Sequence, residues 1–434
     1  MWARKRIDLR FRDLAMAFLK CLRPGSRIDS EWAISESFGS RDAMVCLSVR
    51  TGFDMLLNAL DLPAGSEVIF TGLTIGDMPK IAIENGLRPV GVDLDSRTLA
   101  PDLLDLESAI THETRVIVVA HLLGGRCTMD EIADLARSRG LLLIEDCAQA
   151  FVGLQYRGSP QADVSMFSFG SIKTHTALGG AVLIVRDSRI RSQMEALQQR
   201  YPILSAGSFA KRVVKYAGVK LISTWIVAAF VRLFFRCLGT HHDKTASKMA
   251  KGFAGPDFFN RIRKRPSSAM LAFLAKRLSQ FTPATIDVRV KRASRLLATL
   301  GAADDWLAPV GLQAVSPTHW VFPITVSNAQ ELVECLWQNG FDATTRSSLT
   351  SVNEITCKSN ASYNASLQSG GDLPNVEFIL KHAVFLPLDA PIPDREIDRL
   401  ARLVIEHAKP IQGAPVKSQA AAARMTIPAF SRSK

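Results

Sequence analysis

The stretch LLLIEDCAQAFVG, residues 141–153, is an apolar run that stops at a carboxylate. The run is continuous rather than alternating, which is typical of a strand buried on both faces of a parallel sheet. Asp146 ends it, and Gln149 follows three residues later. An aspartate at a strand end can simply bind loop amides. At the carboxyl edge of a parallel sheet it lies where cofactors bind. This stretch alone leaves both interpretations open.

Outward from this strand, from about residue 40 to 187, short apolar runs alternate with helical patterns. That alternation predicts an α/β fold with a mainly parallel sheet and right-handed crossovers. Helices are predicted at Phe53–Leu60, Met78–Asn85, Leu103–Ile110 and Met129–Arg139. The seven predicted strands are Ala43–Ser48, Glu67–Phe70, Arg88–Asp93, Arg115–Ala120, Leu141–Asp146, Val164–Ser168 and Ala181–Val185.

A second stretch, FSFGSIKTHTALGG at residues 167–180, sets one lysine between an apolar run and a glycine pair. Most loop lysines are simply exposed, and for Lys173 alone that is the more common interpretation. However, Asp146 at a strand end, then Ser168, Lys173 and Gly179-Gly180, is the order that pyridoxal 5'-phosphate chemistry needs. The lysine binds the cofactor covalently, and the aspartate pairs with its pyridinium nitrogen. In a partly dry site we expect such a lysine to have a lowered pKa.

The stretch CLSVRTGFDMLLNAL, residues 46–60, is the candidate phosphate site. It runs from a strand into a helix, and the free amides of a helix N-terminus, together with hydroxyl groups, suit a phosphate dianion. A Thr-Gly pair before a helix is also an ordinary cap. The candidate ligands are Ser48, Arg50, Thr51 and Gly52.

The chain from about residue 43 to 187 resembles the DegT/DnrJ/EryC1/StrS aminotransferases, the sugar-aminotransferase group of fold-type-I pyridoxal-phosphate enzymes. The segments GSEVIFTGLT, IEDCAQA, MFSFGSIKT and LGGAVLIV occur in the family's order. Later, GFDATTRSSL and FLPLDAPIPDREIDRLARLV resemble its small-domain motifs. The resemblance extends over residues 35–190 and 260–408, and it implies a seven-stranded sheet flanked by helices with a smaller C-terminal α+β domain.

The resemblance also implies a role for each matching residue. Lys173 is the cofactor-binding lysine and Asp146 the partner of the pyridinium nitrogen. Gln149 lies near the cofactor's 3-hydroxyl, and Ser168 binds the phosphate. His121 matches a position near the cofactor, although a histidine of the core fits it equally well.

Three departures from the family pattern affect the site. Where the family reads Ser-Gly-Thr, this chain has Ser48-Val49-Arg50, so Arg50 is a candidate phosphate clamp. Where the family usually has an aromatic residue over the pyridine ring, the chain has Ile75. A dehydratase branch of the family has histidine in place of the lysine, and Lys173 argues against that branch.

Two further polar residues have a less certain place in the pattern. Asn260, in FNRIRKRPSS, lies one residue away from the family's N-x-R element, by which a neighbouring subunit reaches the phosphate. His175, two residues after the lysine, is interpreted either as a group that supports the site or as an exposed residue.

The net charge of +12 is concentrated in one segment. Residues 200–265 contain 14 Lys and Arg against two acids, so the rest of the chain is near neutral, and a nucleic-acid binder is not indicated.

Leu221–Val231 is uncharged but is shorter than the ~20 residues of a membrane-spanning helix. Residues 208–240 are therefore interpreted as a helix or hairpin lying in a membrane interface, or as a helix buried at a dimer interface.

Seven scattered cysteines without metal-ligand spacing predict neither disulfides nor a metal site, and the N-terminus lacks the pattern of a signal peptide. We therefore expect a cytoplasmic protein, or one peripheral to the inner face of the cell membrane. The predicted domains are an N-terminal helical arm (1–35), a cofactor-binding α/β domain (36–187), a basic apolar insertion (188–260), linking helices (261–300), a small C-terminal α+β domain (301–412) and a disordered tail (413–434).

These features predict an aminotransferase that forms a homodimer with shared active sites. The amino donor would be glutamate or glutamine, and the acceptor the keto group of a nucleotide-activated sugar or a related carbohydrate. Two alternatives stay open. One is a binding or regulatory protein with this fold but without turnover, and the other is an aminotransferase acting on a lipid-linked substrate at the membrane surface.

Overall fold

The computed structural model describes residues 2, 7–222, 257–301, 308–345, 348–359, 371–388 and 392–411. A seven-stranded sheet has the strand order β1-β8-β7-β6-β5-β2-β4. β8 is antiparallel to both of its neighbours, and the pairs formed by β7, β6, β5, β2 and β4 are parallel. The predicted fold class is confirmed. The strands are β1 (Ala43–Cys46), β2 (Glu67–Thr71), β4 (Arg88–Val92), β5 (Thr114–Ala120), β6 (Leu142–Asp146), β7 (Val164–Ser168) and β8 (Ala181–Val185).

All seven predicted strands overlap these strands. Because β8 is antiparallel to β7 and also to β1, β1 runs in the same direction as β7. The carboxyl ends of β1, β5, β6 and β7 therefore lie along one edge of the sheet. That edge is where ligands bind in open α/β sheets.

Helices cover both faces of the sheet, and successive residues of a strand enter different cores. Met166 of β7 belongs to the core that contains Phe53 and Leu183, whereas Phe167 packs with Phe38 and Phe151 on the other face. The helices that follow the strands are α3 (Val49–Leu60), α4 (Asp77–Glu84), α5 (Leu103–Ala109), α6 (Asp130–Ser138) and α7 (Ser188–Arg200).

A second group of helices packs on the Phe167 face. The N-terminal helices α1 and α2 both contact α10, and α8 lies against α1. The second helix of the predicted N-terminal arm ends at Ser37, two residues beyond the predicted boundary. These helices are α1 (Phe11–Leu22), α2 (Arg27–Ser37), α8 (Ala206–Ile222), the short α9 (Phe258–Ile262) and α10 (Ser268–Ser279).

The C-terminal part forms a smaller α+β unit. β10 pairs antiparallel with β9 and β12, and α12 has the predicted bounds. β11 instead pairs with β3 (Leu73–Ile75), next to the large sheet. The elements are α11 (Ala284–Leu300), β9 (Ala308–Pro309), β10 (Phe322–Thr325), α12 (Ala329–Gln338), β11 (Leu349–Ser351), α13 (Val352–Ser359), α14 (Pro374–His382), β12 (Ala383–Leu386) and α15 (Asp394–His407).

Several predictions lie partly or wholly outside the described residues: residues 223–256 of the insertion, residues 223–240 of the predicted membrane contact, short stretches of the predicted arm and small domain, and the whole predicted tail, 413–434. The domain boundaries stay a prediction. Among the helices of the described residues, none is both long and apolar enough to cross a membrane.

Candidate active site

The fold brings five of the predicted residues to one edge of the sheet. Asp146 ends β6, Ser168 ends β7 and His121 directly follows β5. Ser48 follows β1 and is the N-cap of α3. Lys173 lies in the connection from β7 to β8, which starts and ends at this edge.

Lys173 is half-buried and faces an aromatic ring. Its Nζ lies 4.8 Å from the centre of the Trp320 ring. The pKa of this lysine is lowered to about 8, mainly by burial; the charge of Asp146 opposes this fall, and the charge of Arg50 adds to it. A methyl group at Gly170 would lie 3.6 Å from Ser168 Oγ and 3.8 Å from Lys173 Cγ, so the hydroxyl and the lysine side chain are near neighbours. The predicted lowered pKa is confirmed in direction.

Asp146 is a buried carboxylate that interacts with several cations. Its Oδ1 accepts a hydrogen bond from the Ala148 amide at 2.9 Å. Burial raises the pKa of Asp146, and the hydrogen bond from Ala148 and the charges of Lys173 and Arg50 counteract part of that rise. The cations of the protein therefore compensate only part of the cost of burying this carboxylate. A cationic nitrogen that entered the pocket could compensate more of it.

His121 lies in a buried network centred on Glu145, the neighbour of Asp146. The His121 Nδ1 accepts from the Cys127 amide at 3.1 Å, so its Nε2 carries the proton and donates to Glu145 Oε1 at 2.7 Å. Tyr156 also donates to Oε1, while the Ser159 amide and Ser165 hydroxyl donate to Oε2, each at 2.8 Å.

With four donors, both oxygens of Glu145 are saturated. Burial alone would raise the pKa of Glu145, but the hydrogen bonds from His121 and Tyr156 lower it to about 2. His121, Glu145 and Cys147 place possible ligand atoms within 4.8 Å of one another. Because each Glu145 oxygen already accepts two hydrogen bonds from the protein, we interpret this group as a structural network beneath the site.

Gln149 fixes the loop after β5. Its Oε1 accepts from the Leu123 amide at 3.1 Å. In this loop Gly124 has a φ of +95°, and a Cβ there would lie 2.7 Å from the Trp320 amide nitrogen. Thr318 donates its amide to the Gly124 carbonyl at 2.8 Å. The close approach that only glycine allows therefore lets the segment before β10 bring Trp320 to the lysine.

The N-terminus of α3 supplies the predicted phosphate ligands, and its hydroxyls have partners within the protein. Ser48 Oγ accepts from the Thr51 amide at 3.2 Å and lies 2.9 Å from Thr51 Oγ1. The Thr51 hydroxyl is fully buried and donates to the Ile262 carbonyl at 2.8 Å. A Cβ on Gly52 would lie 2.6 Å from two methyl groups of Leu183, so close packing on β8 explains this glycine.

Arg50 is half-buried and forms an ion pair with Asp77, with Nε and Oδ2 2.5 Å apart. Its charge also affects the pKa of Asp146 and of Lys173. The guanidinium therefore lies close enough to the site to attract an anion, and the carboxylate of Asp77 holds it there.

The roles of Ile75 and Asn260 at the cofactor stay predictions. Ile75 pairs in register with Leu349 of β11 and packs against the main core of the large domain. Asn260 is exposed on the short α9, two residues before the carbonyl that accepts from Thr51. The aromatic ring beside Lys173 comes from Trp320 instead.

His175 is buried and structural, which rules out the exposed alternative. Its Nε2–H donates to the Arg277 carbonyl, and its Nδ1 accepts from the Arg277 guanidinium at 3.2 Å. The His175 amide donates to Asp8 Oδ2 at 2.7 Å, and Arg277 also donates to the Asp8 carbonyl at 2.8 Å. Burial lowers the pKa of His175 to about 4, so the ring stays neutral.

Helix α8 contacts the same loop from another side. The Tyr216 hydroxyl donates to Ser171 Oγ at 2.6 Å, and Arg212 donates to the Leu178 carbonyl at 2.9 Å. The loop that carries Lys173 is thus held by α8, by α10 and by the residues before α1.

Sequence reasoning missed two residues of this site. Trp320 comes from a distant segment, and no local pattern connects it with Lys173. Glu145 was quoted within IEDCAQA but was not singled out, although a carboxylate in an otherwise apolar strand indicates buried hydrogen-bond donors.

The side chains at this edge have the chemistry that pyridoxal phosphate requires. The amine of Lys173, with its lowered pKa, suits the aldehyde of the cofactor, and the buried carboxylate of Asp146 suits its ring nitrogen. The guanidinium of Arg50, beside the N-terminus of α3, suits its phosphate. Lys173 lies in the loop between two strands of a mainly parallel seven-stranded sheet, and Asp146 ends the neighbouring strand. This arrangement is that of the fold-type-I pyridoxal-phosphate-dependent transferases, which are the structural class of the chain.

Solved structures share this fold across nearly the whole chain. The aminotransferase TlmJ from Streptoalloteichus hindustanus superposes with a TM-score of 0.67 at 19% identity, covering 93% of this chain and 98% of that one. An E. coli GDP-4-keto-6-deoxy-D-mannose-3-dehydratase with bound hydrated PLP gives a TM-score of 0.65 at 18% identity, covering 93% and 99%. At these identities the likeness establishes the fold.

Sequence comparison finds relatives for part of the chain. Residues 21–221 match the model of the DegT/DnrJ/EryC1/StrS aminotransferase family. GDP-perosamine synthase of Caulobacter vibrioides is 34% identical over 174 residues, which are 39% of this chain and 47% of that protein. The GDP-perosamine synthase of Escherichia coli O157:H7 is 37% identical over 139 residues, 31% and 38% of the two chains. The chain thus matches less than half the length of these curated relatives.

Proposed function

We propose that the protein is a pyridoxal-phosphate-dependent aminotransferase. The observation that carries the proposal is the pairing of Lys173, whose pKa is lowered to about 8, with the buried Asp146 at the same sheet edge. A lysine of this pKa is partly neutral near pH 8, and only the neutral amine is a nucleophile. The site thus offers an amine that can act as a nucleophile near pH 8, next to a buried carboxyl group.

When bound, the cofactor supplies an electron sink for the amino-acid Cα. Asp146 would hold the ring nitrogen in its protonated form, and Lys173 would serve as the base that takes and returns the proton of the substrate Cα. We assign the phosphate to Ser168 and to the N-terminus of α3, with Ser48, Arg50, Thr51 and Gly52. We assign Gln149 and His121 to the cofactor's ring side, and Ile75 to the edge of the pocket.

The substrates are proposed from the family and its relatives. The donor is glutamate or glutamine, and the acceptor is the keto group of a nucleotide-activated sugar. Two relatives are named as GDP-perosamine synthases, which supports a nucleotide-sugar acceptor. The presence of Lys173 favours amine transfer over the dehydration assigned to the histidine branch of the family.

The assembly is proposed to be a cytoplasmic homodimer with shared active sites. In such a dimer, Asn260 on the exposed face of α9 would reach the phosphate of the neighbouring subunit. Peripheral membrane contact through residues 208–240 belongs to the same proposal, and the described part of that range is the end of α8.

A second candidate is a binding or regulatory protein with this fold but without turnover. The ion pair between Arg50 and Asp77 supports it, because it occupies the guanidinium that is proposed to bind the cofactor phosphate. Use of a lipid-linked acceptor at a membrane surface is a variant of the first candidate and shares its chemistry.

The test is a titration of the purified protein with pyridoxal phosphate and then with amino donors. We expect a visible colour that glutamate or glutamine bleaches, and a covalent adduct that borohydride traps on Lys173. Lys173→Ala should show neither, and wild-type colour in that variant would refute the assignment of the lysine. Colour that no donor bleaches would support the candidate without turnover.

A further inference from the structure

Helices α1 and α8 lie side by side and expose large apolar side chains to water. Leu22 is 67% exposed, Leu19 62% and Val214 59%. Of the thirteen large apolar side chains exposed in the described part of the chain, six belong to these two helices. We call this the α1–α8 surface, and its members are Phe11, Phe18, Leu19, Leu22, Val214 and Leu221.

The α1–α8 surface is also basic. Lys211 and Lys215 are exposed on α8, and Arg12 is exposed on α1. Lys220 Nζ lies 5.6 Å from the Phe11 ring, so a cation of one helix lies above an apolar side chain of the other. The only acidic residue of the two helices is Asp13, which is buried. Asp13 lies 3.8 Å from Arg12, and neither helix contains a second acid, so the lysines outnumber the acids of this surface.

This charge argues against two other occupants. A second copy of the chain would bring the same lysines and arginines opposite one another, and like charges in contact oppose association. Residues 223–256, which follow α8, contain five lysines and arginines and one acid, so they too would meet the surface with charge of the same sign. An anionic surface with an apolar layer beneath it matches both properties.

We propose that the α1–α8 surface docks on an anionic lipid bilayer. The leucines and phenylalanines enter the boundary between headgroups and acyl chains, while the lysines reach the headgroup phosphates. The inference extends the contact proposed for residues 208–240 to the N-terminal helix α1. It does not depend on the chemistry of the site, because a protein without turnover would dock in the same way.

The test is flotation of the full-length protein with vesicles of phosphatidylcholine, with and without phosphatidylglycerol. We expect binding to the anionic vesicles that falls with added salt. Leu19→Glu with Leu22→Glu should lower the vesicle partition coefficient at least about tenfold, because it removes apolar contact and adds negative charge. The matched control is Leu104→Glu on α5, where the leucine is 75% exposed, and it should bind like the wild type.

Charge is tested separately by Lys211→Glu with Lys215→Glu, which should lower binding to anionic vesicles and leave the weak binding to neutral vesicles unchanged. Wild-type flotation of the Leu19 and Leu22 variant would overturn the proposal. So would a change in the oligomeric state of the lipid-free protein caused by that variant, because the surface would then join two copies. Loss of flotation on deleting residues 223–256, with the α1 variant unaffected, would overturn it as well.

Discussion

The Nζ of Lys173 lies 4.8 Å from the centre of the Trp320 ring, so the proposed catalytic lysine of the large domain faces an indole from the start of the small one. The indole Nε1 donates to the Ile172 carbonyl at 3.1 Å, which fixes the ring beside the lysine. The electron-rich face of an indole stabilises an ammonium ion by about 0.5–2 kcal/mol. Trp320 therefore counteracts part of the fall in pKa that burial causes.

Replacing this ring should move the titration of Lys173. In Trp320→Leu the site stays apolar but the ammonium loses the ring face, so the pKa should fall below about 8, by up to roughly one unit. The measurement is the pH dependence of covalent pyridoxal-phosphate uptake, whose midpoint should shift to lower pH. Trp320→Phe loses the same hydrogen bond but keeps an aromatic face, so its midpoint should lie between the two. Equal midpoints in all three proteins would contradict the role of the ring.

Asp146 should control the chemical step more than the binding of the cofactor. Asp146→Asn keeps the shape of the side chain but removes the charge that holds the ring nitrogen protonated. We expect cofactor to be retained while the single-turnover rate with glutamate falls roughly a hundredfold or more. Rapid mixing of the loaded protein with glutamate measures this rate. An unchanged rate in a fully loaded variant would mean that another group protonates the ring nitrogen.

Glu145 should make the fold sensitive to acid. Its folded-state pKa of about 2 lies below the ordinary value of 4.5, so it contributes stability above pH 4.5 that is lost as the pH falls toward 2. The shift corresponds to about 3 kcal/mol. Glu145→Gln should unfold at lower denaturant concentration at pH 7, and its stability should change less than that of the wild type between pH 4.5 and 2. Parallel pH profiles for the two proteins would contradict this.

Gly52 and Leu183 should be energetically coupled, because a Cβ at position 52 would lie 2.6 Å from both Leu183 methyl groups. Gly52→Ala should destabilise the protein by about 1–3 kcal/mol through overpacking. In a Leu183→Ala background the new methyl has room, so the double variant should lose less stability than the sum of the single changes. Denaturant unfolding of the four proteins gives the coupling energy. If the two single losses of stability add up to that of the double variant, helix α3 makes room for the new methyl group by moving, and the coupling with Leu183 is contradicted.

Much of the large domain was predictable because its strands are buried on both faces. Continuous apolar runs such as LLLIED and AVLIV mark these strands directly, and all seven lie in the sheet. The order of Asp146, Ser168 and Lys173 then indicated the edge at which they meet. The fold and the position of the lysine loop could thus be predicted, because the residues that indicate them lie within short, continuous stretches of the sequence.

The surroundings of the lysine could not be predicted, because they depend on contacts between distant segments. Trp320 lies beside Lys173 because contacts between distant segments hold it there, among them the hydrogen bond from Thr318 to Gly124 and the one from Trp320 to Ile172. The pairing of Ile75 with Leu349 of β11 likewise joins distant segments, and no local pattern predicts that register. Glu145 and Asp146 are adjacent in β6 and point to opposite faces of the sheet, so a strand-end pattern identifies only the second.

The hydrogen bonds that Asp8 accepts from His175 and Arg277 give the segment before α1 a practical importance. Asp8 lies outside every helix and strand, yet its side chain and carbonyl bind the two residues that brace the lysine loop, His175 and Arg277. Trimming the first ten residues, or fusing a bulky affinity tag close to them, would leave the large sheet intact while loosening the loop. Preparations that differ only in their leading residues would then differ in how much cofactor they retain.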